Sequence, residues 1–508
     1  MDSFPWWTAK QRDLMTATKS FADDNLSRGE EVSWTRVYPT DLLKEVARRG
    51  WFGALIPREY GGIDVGVTGC CIVAEQLSRI CIALAGACSV TMYGGAEQLL
   101  KFGLEEQKRR WLPRFVNGVV GAICITEPTV GSDAASIDTT AKRSNDEYII
   151  DGKKRFITNA GLADIYLVFA RTSDSPRDIA RHQHLSAFII ERGAPGFTVE
   201  RINELGGWVG LPNGFLDFNE VRVLAENRIG AEGDGWKILV DGLNFERTLF
   251  SAEKLGPMGE AIRYAVCHAQ RRIQFGQPTI ESEVTRFKIA DMIARFKTAR
   301  LVIYHAAQLL DLNAEAALET TLAKLHIPDA YDFVMNEASQ VMGGDAWTRF
   351  YPLNGFLRDA RVNHVAAGTD EVMKLVIFKQ GMRALAKDLK MPTRRIHERL
   401  NAPMSTPTPI IMEMMNEANL LSILADDYRV NPGLHMSRED VKRRFDRIDD
   451  ETLDNALIGL EQKALVRLHR DRKNVIQLVK ATYAGLRKAN PQEHYQWFPE
   501  WMNKNFIF

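Results

Sequence analysis

The chain has 508 residues, 45% of them hydrophobic and 26% charged, and its 65 Lys+Arg balance 65 Asp+Glu for a formal net charge of +0. That length exceeds one folding unit and supports a large core. The charge balance argues against a whole-chain nucleic-acid binder, and the N-terminal MDSFPWW lacks the basic-then-apolar order of a secretory signal.

Residues 1–118 read as helices. DLLKEVARRGWFGALIP spaces its apolar positions three and four apart, and PREYGGIDV then breaks the pattern. The longest uncharged stretch, ICIALAGACSVTMYGGA at 80–96, is short for a membrane span and reads as a buried helix against a cavity. Residues 119–232 change texture. GAICITEP, DEYIIDGKKRFITNA, ADIYLVFART, LSAFIIE and GFLDFNEVRV are short β-branched and aromatic runs bounded by turn residues, which predicts a β-domain.

Helices return over 233–390. The first is a long one beginning DGWKILVDGLNFERTLFSAEKLGPMGEA, with a kink expected at Pro257. Residues 391–408 are proline-rich and read as a linker. Residues 409–508 read as three helices and a hairpin, ALVRLHRDRKNVIQLV, the order of a winged helix. The expected class is α+β: an N-terminal helical domain, a central β-barrel-like domain, a C-terminal four-helix bundle and an appended winged-helix-like domain. The six cysteines are scattered with no CxxC, which reads as buried reduced thiols in a cytoplasmic protein. No histidine cluster predicts a metal, and no GxGxxG, Walker loop or GxSxG elbow appears.

Five stretches carry the chemistry: CITEPTVGSD, GKKRFITNAG, RRIQFGQP, QVMGGDAW and GTDEV. Together, in this order and spacing, they resemble the acyl-CoA dehydrogenase family over about residues 10–387. The resemblance implies FAD held between the β-domain and the second helical domain. It implies an acyl-CoA substrate, an electron-transferring flavoprotein or similar acceptor, and a homotetramer or homodimer whose neighbouring subunits complete each flavin site. Ile125, Thr126 and Ser132 would meet the cofactor, Ser132 also sitting beside the thioester. Phe156 stands where the family often has Trp against the flavin face, and Thr158 would point its hydroxyl at flavin N5. Arg272 would pair with the pyrophosphate, two oxygens at a time, with Phe275 packed nearby. Gln340 and Gly344 would reach the cofactor from a neighbouring subunit, and Thr369 and Glu371 would contact its adenosine and phosphate part.

Most members carry Glu just before the Gly-Thr turn, where it removes the substrate's α-proton. Here that position is Ala367, preceded by Ala366. In isovaleryl-CoA and long-chain acyl-CoA dehydrogenases the Glu lies on the long helix instead, and NFERTLFSA matches that form. Glu246 is then the expected base and Arg247 the residue that holds the geometry beside the substrate, while Ala367 N–H serves the thioester carbonyl. Glu253, two turns on and displaced by roughly 10 Å, is a rival; Asp370 follows the turn. Chemistry that needs no base, such as loss of a carboxylate, and lost catalysis are the other readings of the missing Glu. Competing functions are a DNA-associated flavoprotein of the alkylation-damage response type and a flavin monooxygenase of the same fold. The balanced charge of the C-terminal unit favours protein docking over nucleic acid. The two alanines free volume for a branched, cyclic or aryl-bearing acyl group.

Overall fold

The computed structural model describes residues 3–385, 416–430, 435–445, 448–471 and 473–491. It divides into two units, Met1–Lys387 and Asp388–Phe508. The expected linker, 391–408, lies outside the described residues.

The first unit opens with helices α1 (Ala9–Thr35), α2 (Thr40–Arg48), α3 (Gly66–Ile80), α4 (Ile82–Thr91), α5 (Glu97–Phe102) and α6 (Glu105–Val116). A β-domain follows, with β1 (Gly121–Cys124), β2 (Thr140–Ser144), β3 (Glu147–Thr158), β4 (Ile165–Arg171), the short α7 (Pro176–Ala180), β5 (Leu185–Glu191), β6 (Phe197–Ile202), β7 (Asn213–Leu224) and β8 (Arg228–Ile229). Helices then resume as α8 (Gly235–Ala252), α9 (Leu255–Arg271), α10 (Glu283–Asp311), α11 (Ala317–Met342), α12 (Gly344–Trp347), α13 (Leu353–Asp359) and α14 (Asp370–Leu385). No helix among the described residues is long and apolar enough to cross a membrane.

α3 and α4 are buried on nearly every face. The stretch expected to form one buried helix is instead broken twice. Cys81 is extended, and Met92–Ala96 forms a π-turn in which Gly94 and Gly95 leave helical angles. α3 is pinned to later helices by polar groups. The N–H groups of Val67 and Thr68 donate to the carboxylate of Asp311 and so satisfy the start of α3. Arg300 Nε meets both oxygens of Glu75 at 3.0 and 3.2 Å, and Tyr304 donates its hydroxyl to the same carboxylate at 2.6 Å.

The main sheet runs β6-β7-β3-β2-β4-β5-β8, with β1 added in parallel beside β4. No pairing joins β6 to β8 among the described residues, so this is an open, mostly antiparallel sheet rather than a closed barrel. The two 12-residue strands β3 and β7 slip register between Lys154 and Ile157: Lys154 faces Leu216 and Ile157 faces Gly214. Arg155 and Phe156 thus oppose Phe215 alone, a bulge that re-aims a side chain. Phe156 takes φ 58° there and is 51% exposed.

The long helix expected through Pro257 breaks earlier, at Glu253–Lys254. Pro257 falls in the first turn of α9, where its missing N–H costs no hydrogen bond. α11 packs against α8, α9, α10 and α14 and is the axis of the bundle. Four cysteines are buried and Cys81 is half-buried, but Cys267 is exposed, contrary to the expectation of buried thiols; it sits near the solvent-facing end of α9.

In the second unit, helices Glu417–Val430, Arg438–Lys442 and Asp450–Gln462 precede an antiparallel hairpin of Val466–Arg470 and Ile476–Ala481. Ser437 caps the second helix, accepting from Asp440 N–H. A short strand, Met436–Ser437, makes the hairpin three-stranded, and a helix at Tyr483–Ala489 follows. Leu420, Leu424, Leu453, Leu457, Val479 and Leu486 form its own core.

Lys154, 0% exposed, donates to Glu127 at 2.8 Å and to Ile125 O at 3.1 Å, tying the CITEP and KKRF segments together. Breaking such a pair leaves a bare buried charge and costs about 3–5 kcal/mol. Lys154→Met should lower the unfolding midpoint in urea sharply, and adding Glu127→Gln should recover much of the loss. A double variant no better than the single one would contradict this.

Candidate active site

α8 is packed on most of its circumference, and Glu246 lies in it between Phe245 and Arg247, both buried. Glu246 keeps partial solvent access although protein crowds it closely. No hydrogen bond or ion pair among the described contacts ties its carboxylate. Burial pushes its pKa up; Arg247 and Lys324 oppose, Glu253 and Glu97 push further, and the result is about 7. Tyr93, in the π-turn, is held protonated by burial and, to a lesser degree, by the charges of Glu246 and Glu253. Glu97 is buried beside Gly242, one turn before Glu246 on α8.

The turn 366–368 meets α8 through Arg247. Its Nε donates to Ala367 O at 3.5 Å and its Nη1 to Thr321 Oγ1 at 3.3 Å. Ala367 and Gly368 are successive left-handed residues, φ 56° and 97°. A Cβ at 368 would lie 2.6 Å from Met373 Cε, a movable side-chain tip, so it is the left-handed backbone that favours glycine there. Ala366 N–H is taken by Val362 O at 2.9 Å. Thr369 caps α14, its hydroxyl accepting from Val372 N–H at 3.4 Å, and Glu371 is exposed in that helix's first turn. Beneath the turn, fully buried Lys324 donates to Asn363 O at 2.9 Å and lies 3.7 Å from Asp370.

Glu253 belongs to a different environment. It pairs with Lys254 at 2.8 Å, both 1% exposed, and the ammonium lies 3.6 Å from the Phe250 ring and 4.3 Å from that of Trp208.

The β-domain packs against the segment that carries Tyr93. Gly94, next to Tyr93, packs against Ala122 and Ile123 of β1. Beyond β1, Ile125 O is held by Lys154, and Thr126 O accepts Arg155 N–H at 2.8 Å. Phe156 therefore stands beside Ile125 and Thr126. Asn213 donates to Phe156 O at 2.9 Å and to Thr158 Oγ1 at 3.4 Å, bracing the bulge. Ser132 is exposed, and Gly131 has nothing near the place of a Cβ.

The remaining sequence candidates lie elsewhere. Arg272 and Phe275 are exposed at a hairpin after α9, Phe275 fully. Gln340 and Gly344 are exposed around the end of α11, to which His268 of α9 is tied through Asp345 at 2.9 Å. Gln340 lies about 24 Å along α11 from Lys324 at the helical rise per residue. One end of the bundle thus holds Glu246, Arg247, Ala367, Thr369 and Glu371, and the other Arg272, Phe275, Gln340 and Gly344. Tyr93, Glu97, Asn213, Lys324 and His364 were missed from sequence. Only the Gly94–Gly95 pair after Tyr93 signals a local break; a buried lysine in a helical run carries no such mark.

Three family models match: "Acyl-CoA dehydrogenase, N-terminal domain" at residues 8–119, "middle domain" at 122–221 and "C-terminal domain" at 233–382. The chain belongs to the acyl-CoA dehydrogenase family. An acyl-CoA dehydrogenase of Bacillus subtilis is 36% identical over 374 residues, 73% of this chain and 98% of that protein. Benzylmalonyl-CoA dehydrogenase of Aromatoleum aromaticum is 32% identical over 377 residues, 73% of this chain and 98% of the relative. The solved butyryl-CoA dehydrogenase of Megasphaera elsdenii superposes with a TM-score of 0.72 at 32% identity, covering 75% of this chain and all of that one. Members are FAD-dependent oxidoreductases acting on CH–CH bonds. A DNA-associated role gains no support from these relatives.

Glu246 holds its proton up to about pH 7 in the fold but only to its ordinary value near 4.5 when unfolded. Its raised pKa therefore favours folding at low pH, and that contribution is lost as pH rises from about 4.5 to about 7. Glu246→Gln should remove this slope, so that its thermal midpoint gains on the wild type through that window. Parallel midpoint–pH curves would contradict it.

Proposed function

We propose that the chain oxidises an acyl-CoA thioester between Cα and Cβ, with Glu246 as the base that removes the α-proton. The observation that carries this is an untied, half-buried carboxylate with a pKa near 7, one residue from the arginine that touches the Ala367 turn. A base poised near neutrality abstracts a proton without being permanently protonated. Ala367 N–H donates to the thioester carbonyl and stabilises the enolate-like charge. Arg247 fixes the turn that presents this N–H. Glu253 is the poorer base because its charge is committed to Lys254.

The residues fit FAD. Phe156 offers an exposed apolar ring on a bulge, Thr158 and Thr126 offer partly exposed hydroxyls beside it, and Gly131 leaves room for close backbone approach. When bound, FAD supplies the acceptor for the hydride that leaves Cβ. Ile125, Thr126, Phe156 and Thr158 would hold its ring, and Ser132 would lie between ring and thioester. Thr369 and Glu371 would meet its adenosine and phosphate end. Gln340 stands too far along α11 to join the same site, and Gly344, just past α11, and Arg272 and Phe275, just past α9, lie at that same end, which favours their serving the FAD of a second copy, in a homotetramer or homodimer.

The acyl group we favour is branched, cyclic or aryl-bearing, since Ala366 and Ala367 remove bulk beside the thioester. Electrons would pass to an electron-transferring flavoprotein or similar acceptor in the cytoplasm. We divide the chain at 1–118, 119–232, 233–390, 391–408 and 409–508. The last segment is read as a winged-helix-like protein-docking module.

Glu246→Gln and Glu253→Gln should both retain FAD. Under anaerobic mixing with a panel of acyl-CoA thioesters, Glu246→Gln should slow flavin bleaching on the order of 10²–10⁴-fold, and Glu253→Gln should bleach within tenfold of wild type. Full bleaching by Glu246→Gln, with the loss in Glu253→Gln, would reverse the assignment.

A further inference from the structure

His364 lies two residues before the start of the Ala366–Ala367–Gly368 turn, and its side chain is 15% exposed. Nδ1 is 2.5 Å from Asp370 Oδ2, at the start of α14. Nε2 is 3.1 Å from Asp332 Oδ2, on α11. A neutral imidazole has one N–H, so it would present a lone pair to one of these carboxylates. Carboxylates at both nitrogens demand two N–H donors, the imidazolium.

The bridge closes the turn across its base, since His364 precedes the turn and Asp370 follows it. The turn needs such a hold. A non-glycine residue in the left-handed region costs roughly 1–2 kcal/mol, and such strain persists only where surroundings fix it. Ala367, at φ 56°, is that residue. We propose that His364 is a positioning residue: as an imidazolium clamped between Asp332 and Asp370, it fixes the strained turn that presents Ala367 N–H to the thioester.

The charged groups around the clamp are consistent with this. Asp332 and Lys324 come from α11 and Asp370 from α14. Lys324 Nζ lies 3.7 Å from Asp370 Oδ1, so Asp370 is shared between two cations. From α8, Arg247 reaches Ala367 O, and Glu246 stands beside Arg247. Burial lowers the His364 pKa, but hydrogen bonds and charge from the two carboxylates raise it further, and the net direction is upward from 6.5. The clamp is therefore complete below that raised value and released above it.

The consequence for catalysis rests on the proposed dehydrogenation; the clamp itself does not. The test uses the full-length, FAD-loaded protein. ¹⁵N NMR of the histidine rings should show one ring that stays an imidazolium to higher pH than an ordinary histidine; that signal should be absent in His364→Gln, and its apparent pKa should fall in Asp332→Asn. Amide hydrogen exchange at 365–369 should speed up at least tenfold in His364→Gln. In thioester assays the variant should lose kcat more than it raises KM. Wild-type kcat should fall at alkaline pH along a limb that His364→Gln lacks. A neutral His364 ring at pH 6.5 or unchanged exchange at the turn would overturn the clamp. An imidazolium and faster exchange without thioester turnover in the wild type would sink the dehydrogenase reading and leave the clamp standing.

Discussion

A half-buried carboxylate on α8, crowded by protein and tied to no partner among the described residues, is the constraint around which the rest is arranged. Burial alone would keep Glu246 protonated and useless as a base; full solvation would leave it too weak a base. Arg247 and Lys324 pull one way, burial with Glu253 and Glu97 the other, and the balance falls at about 7. Three neighbouring contacts are consistent with that balance. Lys254 occupies Glu253, Lys101 sits 2.7 Å from Glu97, and Arg247 is aimed at the turn rather than locked onto Glu246.

On the proposed assignment of Glu246 as the base, the turn is left without a side chain that could anchor it. Ala367 holds a left-handed geometry, through which its N–H would be offered to substrate, but it cannot anchor itself with a side chain. Its fixation passes to neighbours: Arg247 on its carbonyl, Met373 against Gly368, and His364 with Asp370 across its base. The same division of labour recurs on the sheet side, where Asn213 and the Lys154–Glu127 pair brace the bulge that turns Phe156 outward.

Periodicity made the order of helices, strands and helices legible, because long amphipathic runs and short β-branched runs obey different repeats. Glu246 and the Ala367 turn were legible through short motifs with fixed spacing. Other features were not. The break at Glu253–Lys254 was misplaced onto Pro257 because a proline in a first helical turn breaks nothing. The bulge at Phe156 depends on its register with β7, which no local pattern records. Tyr93, Glu97 and Lys324 matter through what surrounds them in three dimensions, and buried polar residues look like any others in a sequence. The separation of Arg272 and Gln340 from Glu246 along α11 likewise needed the helix to be seen as a rod.

The most direct measurement is a crystal structure of the FAD-loaded protein with an unreactive thioether analogue of an acyl-CoA. The account predicts a Glu246 oxygen about 3–3.5 Å from the atom equivalent to the substrate's α-carbon, with Ala367 N–H on the thioester oxygen. Glu253, Asp370 or ordered water in that place, with Glu246 turned away from the ligand, would contradict it.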